Sequence, residues 1–486
     1  MMAAKSYKMF VDGKWTDASG GETFEDLNPY TGEVYANVAA GGTEDVRSAI
    51  EAAQAAFPEW SATPPAAKRQ IFLKAADAME SRQDELVKAM MEEVGGTIGI
   101  SMFQMGFVPG LYRMAASAAY DVKGEIIPAD HANSFFMAMR QPAGVVACFA
   151  PFNVPYILGS RSFTLPIAYG NTAVLKPSEE APVTGGLLLA EIFEEAGLPP
   201  GVLNVVPTTR DAAEEAGDEL TSHPAVRRIS FTGSTEVGRI IAEKAGRHLK
   251  RAVLELGGKD PLIILGDADV DYAVDAATWG AFLHQGEICM STERIIIEKG
   301  IAAEFTEKLK ERAEALPKGD PINPATAIGP LINSRAVEKV HAHVEEAVAG
   351  GGTLVTGGQF ENLVYDPTVV TDVTPEMRLF KEQTFGPVAP IVVVEDREEA
   401  LAVANNSTYG LSAGILTNDF TQALDMAMRL ETGMVHIGDQ TVNDEPQAPF
   451  GGVKGSGYGR FGGQAALDEF TELRWINVQR VPRTFP

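Results

Sequence analysis

Hydrophobic positions change period repeatedly along the chain, most regularly between residues 144 and 258. Short apolar runs, GVVACFAP (144–151), NTAVLKPS (171–178), GVLNVVP (201–207), RRISFTG (227–233) and RAVLELGG (251–258), alternate with longer segments of helical period at 154–169, 183–196, 212–220 and 235–245. Brief runs rich in branched residues predict strands, and the 3.6-residue period predicts helices. Strands alternating with helices predict a parallel sheet covered on both faces. Ligands of such sheets bind beyond the carboxyl ends of the strands.

The flanks read differently. Residues 8–35 suggest short strands, with Asp12-Gly13 and Thr31-Gly32 as turns. A helix is expected from an N-cap at Thr43 to residue 57, a second over 66–93, and a third apolar segment over 98–120 broken at Pro109-Gly110. Residues 122–140 place apolar pairs around a polar turn, the pattern of an exposed hairpin that can serve as an oligomerisation arm or be a plain surface feature. A second α/β region starts near 258. It contains a helical run at 272–282, a helix at 302–316, and a helix capped by Ser334 with Val337, Val340, Val344 and Val348 on one face. Strands are expected at 390–395 and 434–438, and the tail 472–486 alternates like a strand able to extend another chain's sheet.

Composition narrows the function classes. The 486 residues suffice for two or three domains, with an ordinary globular balance of 45% hydrophobic and 22% charged positions. A net charge of -26, from 66 acidic and 40 basic residues, argues against nucleic acid and against anionic membranes as partners. Two cysteines cannot form a disulfide framework and fit a reducing compartment. The opening MMAAKSYKMFVDGKW lacks a signal-peptide core, and no run of 18 apolar residues occurs, so a cytoplasmic protein is expected.

Candidate chemistry gathers at the predicted strand ends and at one cysteine. Cys148 sits inside an apolar run and reads as core. Cys289 follows a glycine turn in AFLHQGEICMSTER (281–294). A free thiol titrates near roughly 8.5, so a nucleophilic cysteine needs a base, a dipole or a cofactor charge. The other reading is a buried small hydrophobe. Asn153, just past the first strand, can donate to an oxyanion or form an Asx turn. Lys176 and Glu179 can hold ribose hydroxyls, an acid there favouring NAD, or simply open a helix. Ser178 can accommodate a phosphate if Glu179 turns away. Phe231-Thr232-Gly233-Ser234 lies between strand and helix, where amides suit a pyrophosphate. Glu255, in the apolar LEL, can act as a general base with a raised pKa, or is a bystander if an Arg or Lys pairs with it. Gly455–Gly459 follows no predicted strand and reads as a loop. His341 and His343, two apart on a helix, share no face, and no metal site is expected.

Together PFN (151–153), VLKPSE (174–179), FTGSTEVG (231–238), LELGGK (254–259), QGEICMSTER (285–294), FGPV (385–388) and PFGGVKGSGYGR (449–460) resemble the aldehyde dehydrogenase superfamily over nearly the whole chain. The resemblance implies an α/β fold with a Rossmann-type parallel-sheet NAD-binding domain (1–121 and 143–257). It also implies an α/β catalytic domain (258–467) and a small β oligomerisation arm (122–142 and 468–486) joining a homodimer or homotetramer. Cys289 would attack the aldehyde, and Asn153 with the Cys289 N–H would hold the oxyanion. Glu255 would activate water to hydrolyse the thioester, which places the chain in the hydrolytic rather than the CoA-acylating branch. NAD, with NADP as the alternative, would lie along Ala150, Phe152, Lys176, Ser178, Glu179, Phe231, Thr232, Gly233, Ser234, Leu256, Gln383 and Phe385.

ICMSTER and NDEPQAPFGG are similar to the benzaldehyde, vanillin and salicylaldehyde dehydrogenases. Tyr156, Ile288, Met290 and Phe450 would then form an aromatic pocket. Arg161 would meet a ring hydroxyl or carboxylate, or form a structural ion pair. The alternative substrate is an aliphatic aldehyde or a semialdehyde of the succinic type. Departures from the family pattern are Gln383 for a glutamate, Pro207-Thr208-Thr209 for a glycine pair, and His284 and Glu287 before the cysteine, where both could alter the pocket approach.

Overall fold

The computed structural model describes residues 5–485. Its first sheet holds five parallel strands in the spatial order Arg251–Glu255, Val226–Thr232, Val145–Ala150, Thr172–Pro177, Leu203–Val205. The chain enters at the middle strand, steps outward twice, then returns to the other side. The topological switch point therefore falls between Val145–Ala150 and Val226–Thr232, and the crevice beyond their carboxyl ends is where such sheets bind ligands. The middle strand, Val145–Ala150, is apolar throughout because both its faces are buried. Val146, Cys148 and Ala150 pack into one core, and Val145, Ala147 and Phe149 into another.

A second, mostly parallel sheet of seven strands follows the same logic. In Thr292–Glu298, Ile295 and Ile297 face one core and Ile296 the other. The hairpin Gly124–Ile127/Ser134–Pro142 forms a third sheet with Thr471–Gln479. The tail strand thus pairs within its own chain, from Thr471↔Pro142 to Gln479↔Ser134, and leaves its outer edge free. Among the described residues no helix is long and apolar enough to cross a membrane.

Several local expectations are corrected. Thr43–Ala62 has Gly42 rather than Thr43 as N-cap, because the Asp45 carboxylate accepts the Gly42 N–H at 2.9 Å. The 66–93 helix is two, Pro65–Ser81 and Gln83–Val94, divided at Arg82, whose guanidinium binds Glu85 and Glu191. Ile98–Ala118 runs unbroken through Pro109, since burial of Val108, Leu111 and Tyr112 outweighs the missing hydrogen bond. Ser334–Ala349 is capped by Asn333, which accepts the Ala336 N–H at 3.0 Å, and Val348 is 41% exposed, off the buried face.

The glycine cluster is not a plain loop. Gly457–Tyr458 pairs antiparallel with Arg251–Glu255, Gly457 opposite Glu255. Gly457 has φ +105°, and a Cβ there would lie 2.0 Å from the Leu254 carbonyl oxygen, so only glycine closes the sheet at this edge. The 258–467 span therefore contributes a strand to the first sheet.

Candidate active site

Three adjacent strand ends of the first sheet form one wall of a deep cleft: Pro151-Phe152-Asn153, Thr232-Gly233-Ser234 and Glu255-Leu256-Gly257. The facing wall is built by two loops of the second region. One carries Cys289. Val270–Phe282 ends, and His284 (φ 51°), Gln285 (φ 53°) and Gly286 (φ 74°) turn left-handed in succession. A Cβ on Gly286 would lie 2.2 Å from the Gly386 carbonyl oxygen. Left-handed backbone costs roughly 1–2 kcal/mol at a non-glycine residue, so the surroundings must hold it. They do. The His284 Nε2–H donates to the Asn153 carbonyl at 2.6 Å, and the Gln285 side chain bridges the Gly329 N–H and the Pro330 carbonyl. Burial lowers the His284 pKa to about 4, which keeps the ring neutral for this role. The sequence break therefore starts before Gly286, at two residues that periodicity does not mark.

Glu255 is 1% exposed, and among the described residues neither carboxylate oxygen has a hydrogen-bond partner. Burial raises its pKa to about 7, with the Arg161 guanidinium opposing. Burial, and then the negative charge of Glu255, push the Cys289 thiol well above its ordinary value. The resting pair is thus a thiol beside a carboxylate that titrates near neutrality. The Asn153 amide donates one hydrogen to the Glu287 carbonyl at 2.9 Å, which fixes its orientation and leaves the second free. Neither the His284 nor the Glu287 side chain is among the residues that line the cleft: the His284 ring holds the Asn153 carbonyl, and the Glu287 carboxylate accepts the Ile332 N–H at 3.2 Å, leaving its backbone carbonyl to orient the Asn153 amide.

The other loop carries Gln383 and Phe385. Phe385 has φ 58°, and its ring meets Phe152 edge-on at 6.1 Å. The strained backbone is held by Glu293, whose carboxylate accepts the Thr384 and Phe385 N–H groups at 2.8 Å each and the Lys259 ammonium at 2.6 Å. The buried Gln383 Nε2 has no hydrogen-bond partner among the described residues, and Lys339 lines the same cavity of about 210 Å³.

This inner cavity shares Phe152, Thr232, Gly233 and Ser234 with an outer one of about 540 Å³, lined by Ala150, Lys176, Ser178, Glu179 and Phe231. Ser234 caps Thr235–Arg247, presenting a helix N-terminus to the cleft. The Lys176 ammonium, its pKa lowered by burial, reaches only the Pro177 carbonyl at 3.5 Å. Glu179 is bound by Arg210 at 2.8 Å, just after the Pro207-Thr208-Thr209 segment. Sequence reasoning missed Arg210, Lys339 and Ile240, which line the cleft from helix faces and loops that carry no motif of their own, and the apolar Val237, which lies in FTGSTEVG but was given no role.

On the other side of Cys289 lies a narrow apolar slot with Ile288, Met290, Phe450 and Arg161, joined by Phe103, Trp279 and Asp444. Cys289 borders both the inner cavity and the slot. Arg161 is ion-paired with Asp444, and its guanidinium stacks 4.4 Å from the Phe450 ring. Tyr156, expected here, lies elsewhere. It is fully buried, its hydroxyl donates to the Leu86 carbonyl at 3.0 Å, and it lines neither cavity beside Cys289. Among the described residues no group of three or more His, Cys, Asp or Glu is arranged to hold a metal ion.

The sequence pattern of the aldehyde dehydrogenase family matches residues 15–476. A vanillin dehydrogenase of Pseudomonas fluorescens is 45% identical over 478 residues, 98% of this chain and 99% of that protein. An NAD(+) benzaldehyde dehydrogenase of Pseudomonas putida is 41% identical, covering 99% of this chain and 98% of its own. The crystal structure of a salicylaldehyde dehydrogenase from Pseudomonas putida G7, complexed with salicylaldehyde, superposes with a TM-score of 0.97 at 41% identity, covering 99% of this chain and all of that one.

Proposed function

The chain belongs to the aldehyde dehydrogenase family, oxidoreductases acting on aldehydes, and from that premise we propose that it oxidises an aromatic aldehyde to the carboxylic acid with NAD or NADP. The observation that carries this reading is the position of Cys289, the nucleophile candidate, between a long polar-lipped cleft and an apolar slot.

The cleft suits a dinucleotide. A helix N-terminus favours a pyrophosphate, the Lys176 ammonium is free to bind a ribose hydroxyl, and the orphaned Gln383 Nε2 is a donor in want of an acceptor. Ala150, Phe152, Ser178, Glu179, Phe231, Thr232, Gly233, Ser234, Leu256 and Phe385 would complete its walls. When bound, the nicotinamide supplies the hydride acceptor.

The chain's own residues do the rest. Glu255 is the base beside the thiol, so Cys289 Sγ attacks the carbonyl carbon as its proton leaves, forming a C–S bond. The free hydrogen of the Asn153 amide, with the Cys289 N–H, holds the oxygen that gains charge, an arrangement worth roughly 10²–10³ in rate per donor. After oxidation a thioester remains on Cys289. Glu255 first passes the thiol's proton to solvent, then takes a proton from water as the water oxygen bonds to the thioester carbon; the C–S bond breaks, the sulfur regains that proton from Glu255, and the carboxylic acid leaves. Burial tunes this carboxylate toward the operating pH, where a base both binds and yields a proton efficiently.

Ile288, Met290 and Phe450 would pack against a flat ring. Arg161 is already neutralised by Asp444, which weighs against a succinic-type carboxylate as its guest. The rate of nicotinamide reduction with benzaldehyde, vanillin, salicylaldehyde and succinic semialdehyde, each with NAD and NADP, tests the reading. Turnover of succinic semialdehyde in preference to every ring aldehyde would overturn it.

Residues 1–121 and 143–257 are assigned to cofactor binding, 258–467 to catalysis, and 122–142 with 468–486 to an oligomerisation arm. Leu473 and Trp475, 64% and 66% exposed on the arm's outer strand, favour a homodimer or homotetramer, which light scattering would measure. Two free cysteines suit the reducing cytoplasm.

A further inference from the structure

Asp444 lies in the substrate-side slot, and the chemistry above gives it no task. Its side chain is 8% exposed and that of Arg161 7%. The Arg161 guanidinium takes Oδ2 only, whereas Oδ1 is shut off from solvent and has no hydrogen-bond partner among the described residues. Buried acceptors are almost always satisfied, and one left unpaired on a residue that lines a cavity marks where a ligand donor fits. The rest of the slot offers Ile288, Met290, Phe450 and Trp279, with Cys289 at its inner end. It is a site for a flat apolar body carrying one hydrogen-bond donor.

We propose that Asp444 Oδ1 accepts a hydrogen bond from a ring hydroxyl, so that the preferred substrates are hydroxybenzaldehydes, bound as neutral phenols with the aldehyde at Cys289. The inference rests on the aromatic-aldehyde reading and narrows it. Arg161 acts behind Asp444: it holds the carboxylate in place and compensates its charge, while its flat face packs on Phe450. A substituent bearing its own negative charge meets the open carboxylate oxygen and is repelled. A methoxy group has the oxygen but no hydrogen to give, and leaves Oδ1 both buried and unpaired. A site built around a polar partner rejects the analogue that lacks it more strongly than an apolar pocket rejects a change of size.

The test compares kcat/KM of the purified enzyme for the three hydroxybenzaldehyde isomers, the three matching methoxybenzaldehydes, benzaldehyde and hexanal. At least one hydroxy isomer is expected to exceed its methoxy counterpart by about 10- to 100-fold. Raising the pH until that phenol ionises should erase the advantage. In the double variant Arg161→Met/Asp444→Leu, which removes both charges together, the ratio should fall toward one. If that variant does not fold, Asp444→Asn, which keeps the shape with a weaker acceptor, should lower it part of the way. Ring aldehydes turned over with no hydroxy preference would overturn this inference and leave the aromatic reading standing. A large preference untouched by the substitutions would place the acceptor elsewhere. Turnover of hexanal but of no ring aldehyde would overturn both readings.

Discussion

Glu255 ends a strand of the first sheet and Glu293 lies at the start of one in the second, 1% and 2% exposed respectively. Their surroundings could hardly differ more. Glu293 accepts from the Lys259 ammonium and from the Thr384 and Phe385 N–H groups. Burial alone would raise its pKa, but these partners outweigh it and hold the carboxyl below its ordinary value. Glu255 has no hydrogen-bond partner among the described residues, and burial, opposed by the Arg161 charge, raises it from 4.5 to about 7. Equal burial thus yields a permanent anion that fixes a strained loop in one place, and a group that exchanges protons near neutrality in the other. Pairing, not depth, separates scaffold from chemistry.

The sharpest way to break this contrast is to remove each group in turn and measure stability. Glu293→Ala leaves the buried Lys259 ammonium without its partner and frees the Phe385 turn, and should cost about 3–5 kcal/mol in denaturant melts. The Glu293 contribution is present above its unfolded pKa and fades as pH falls through the lower folded one. Glu255→Gln should behave oppositely. A raised carboxyl loses stability as pH climbs from 4.5 to about 7, because the folded state must then hold an unpaired charge. The variant should melt like the parent at pH 5 and above it at pH 8. Equal losses for both substitutions would dissolve the distinction.

Function should reverse the order. Glu255→Gln should slow thioester hydrolysis by about 100-fold or more, while acyl-enzyme formation suffers less, so that reduced cofactor appears as a burst. Hydrolysis left at the parent rate, with only acyl-enzyme formation slowed, would remove Glu255 from the water-activating role. In the parent enzyme the hydrolytic rate should rise about tenfold per pH unit below 7 and level off above, since only the ionised carboxylate takes a proton. A limb near 4.5 would mean that the carboxylate is solvated during turnover.

What the sequence made legible follows from the same physics. Strand ends stand out because the period changes there, and Asn153, Ser234 and Glu255 each interrupt an apolar pattern. Pro155–Ala168 is different: every residue in it is buried, so periodicity cannot say which side faces the slot, and Tyr156 went to the wrong one. Arg161 was visible, but its partner Asp444 lies 283 positions away and leaves no local mark. The Gly457–Tyr458 strand is two residues long, too short for any alternation, and only its close approach to Leu254 explains the glycine. Lys339 was hidden on the polar side of a helix, where a lysine is ordinarily just a solvated charge.

A third carboxylate completes the series. Glu179 is paired like Glu293, but with Arg210 and near solvent, their side chains 21% and 52% exposed. An exposed pair of this kind contributes only about 0–1 kcal/mol, so Arg210→Ala should leave the melting behaviour nearly unchanged. Its effect should appear in cofactor choice instead. Without Arg210 the Glu179 carboxylate is free to accept from a ribose 2′-hydroxyl and to repel a 2′-phosphate, and the NAD over NADP ratio of kcat/KM should rise about tenfold. Glu179→Gln leaves the guanidinium paired with Glu180 alone, at 3.1 Å, and should move the ratio the other way by a similar factor. If neither substitution moves it, the pair is only a surface ion pair, and the preference between the two cofactors is set deeper in the cleft.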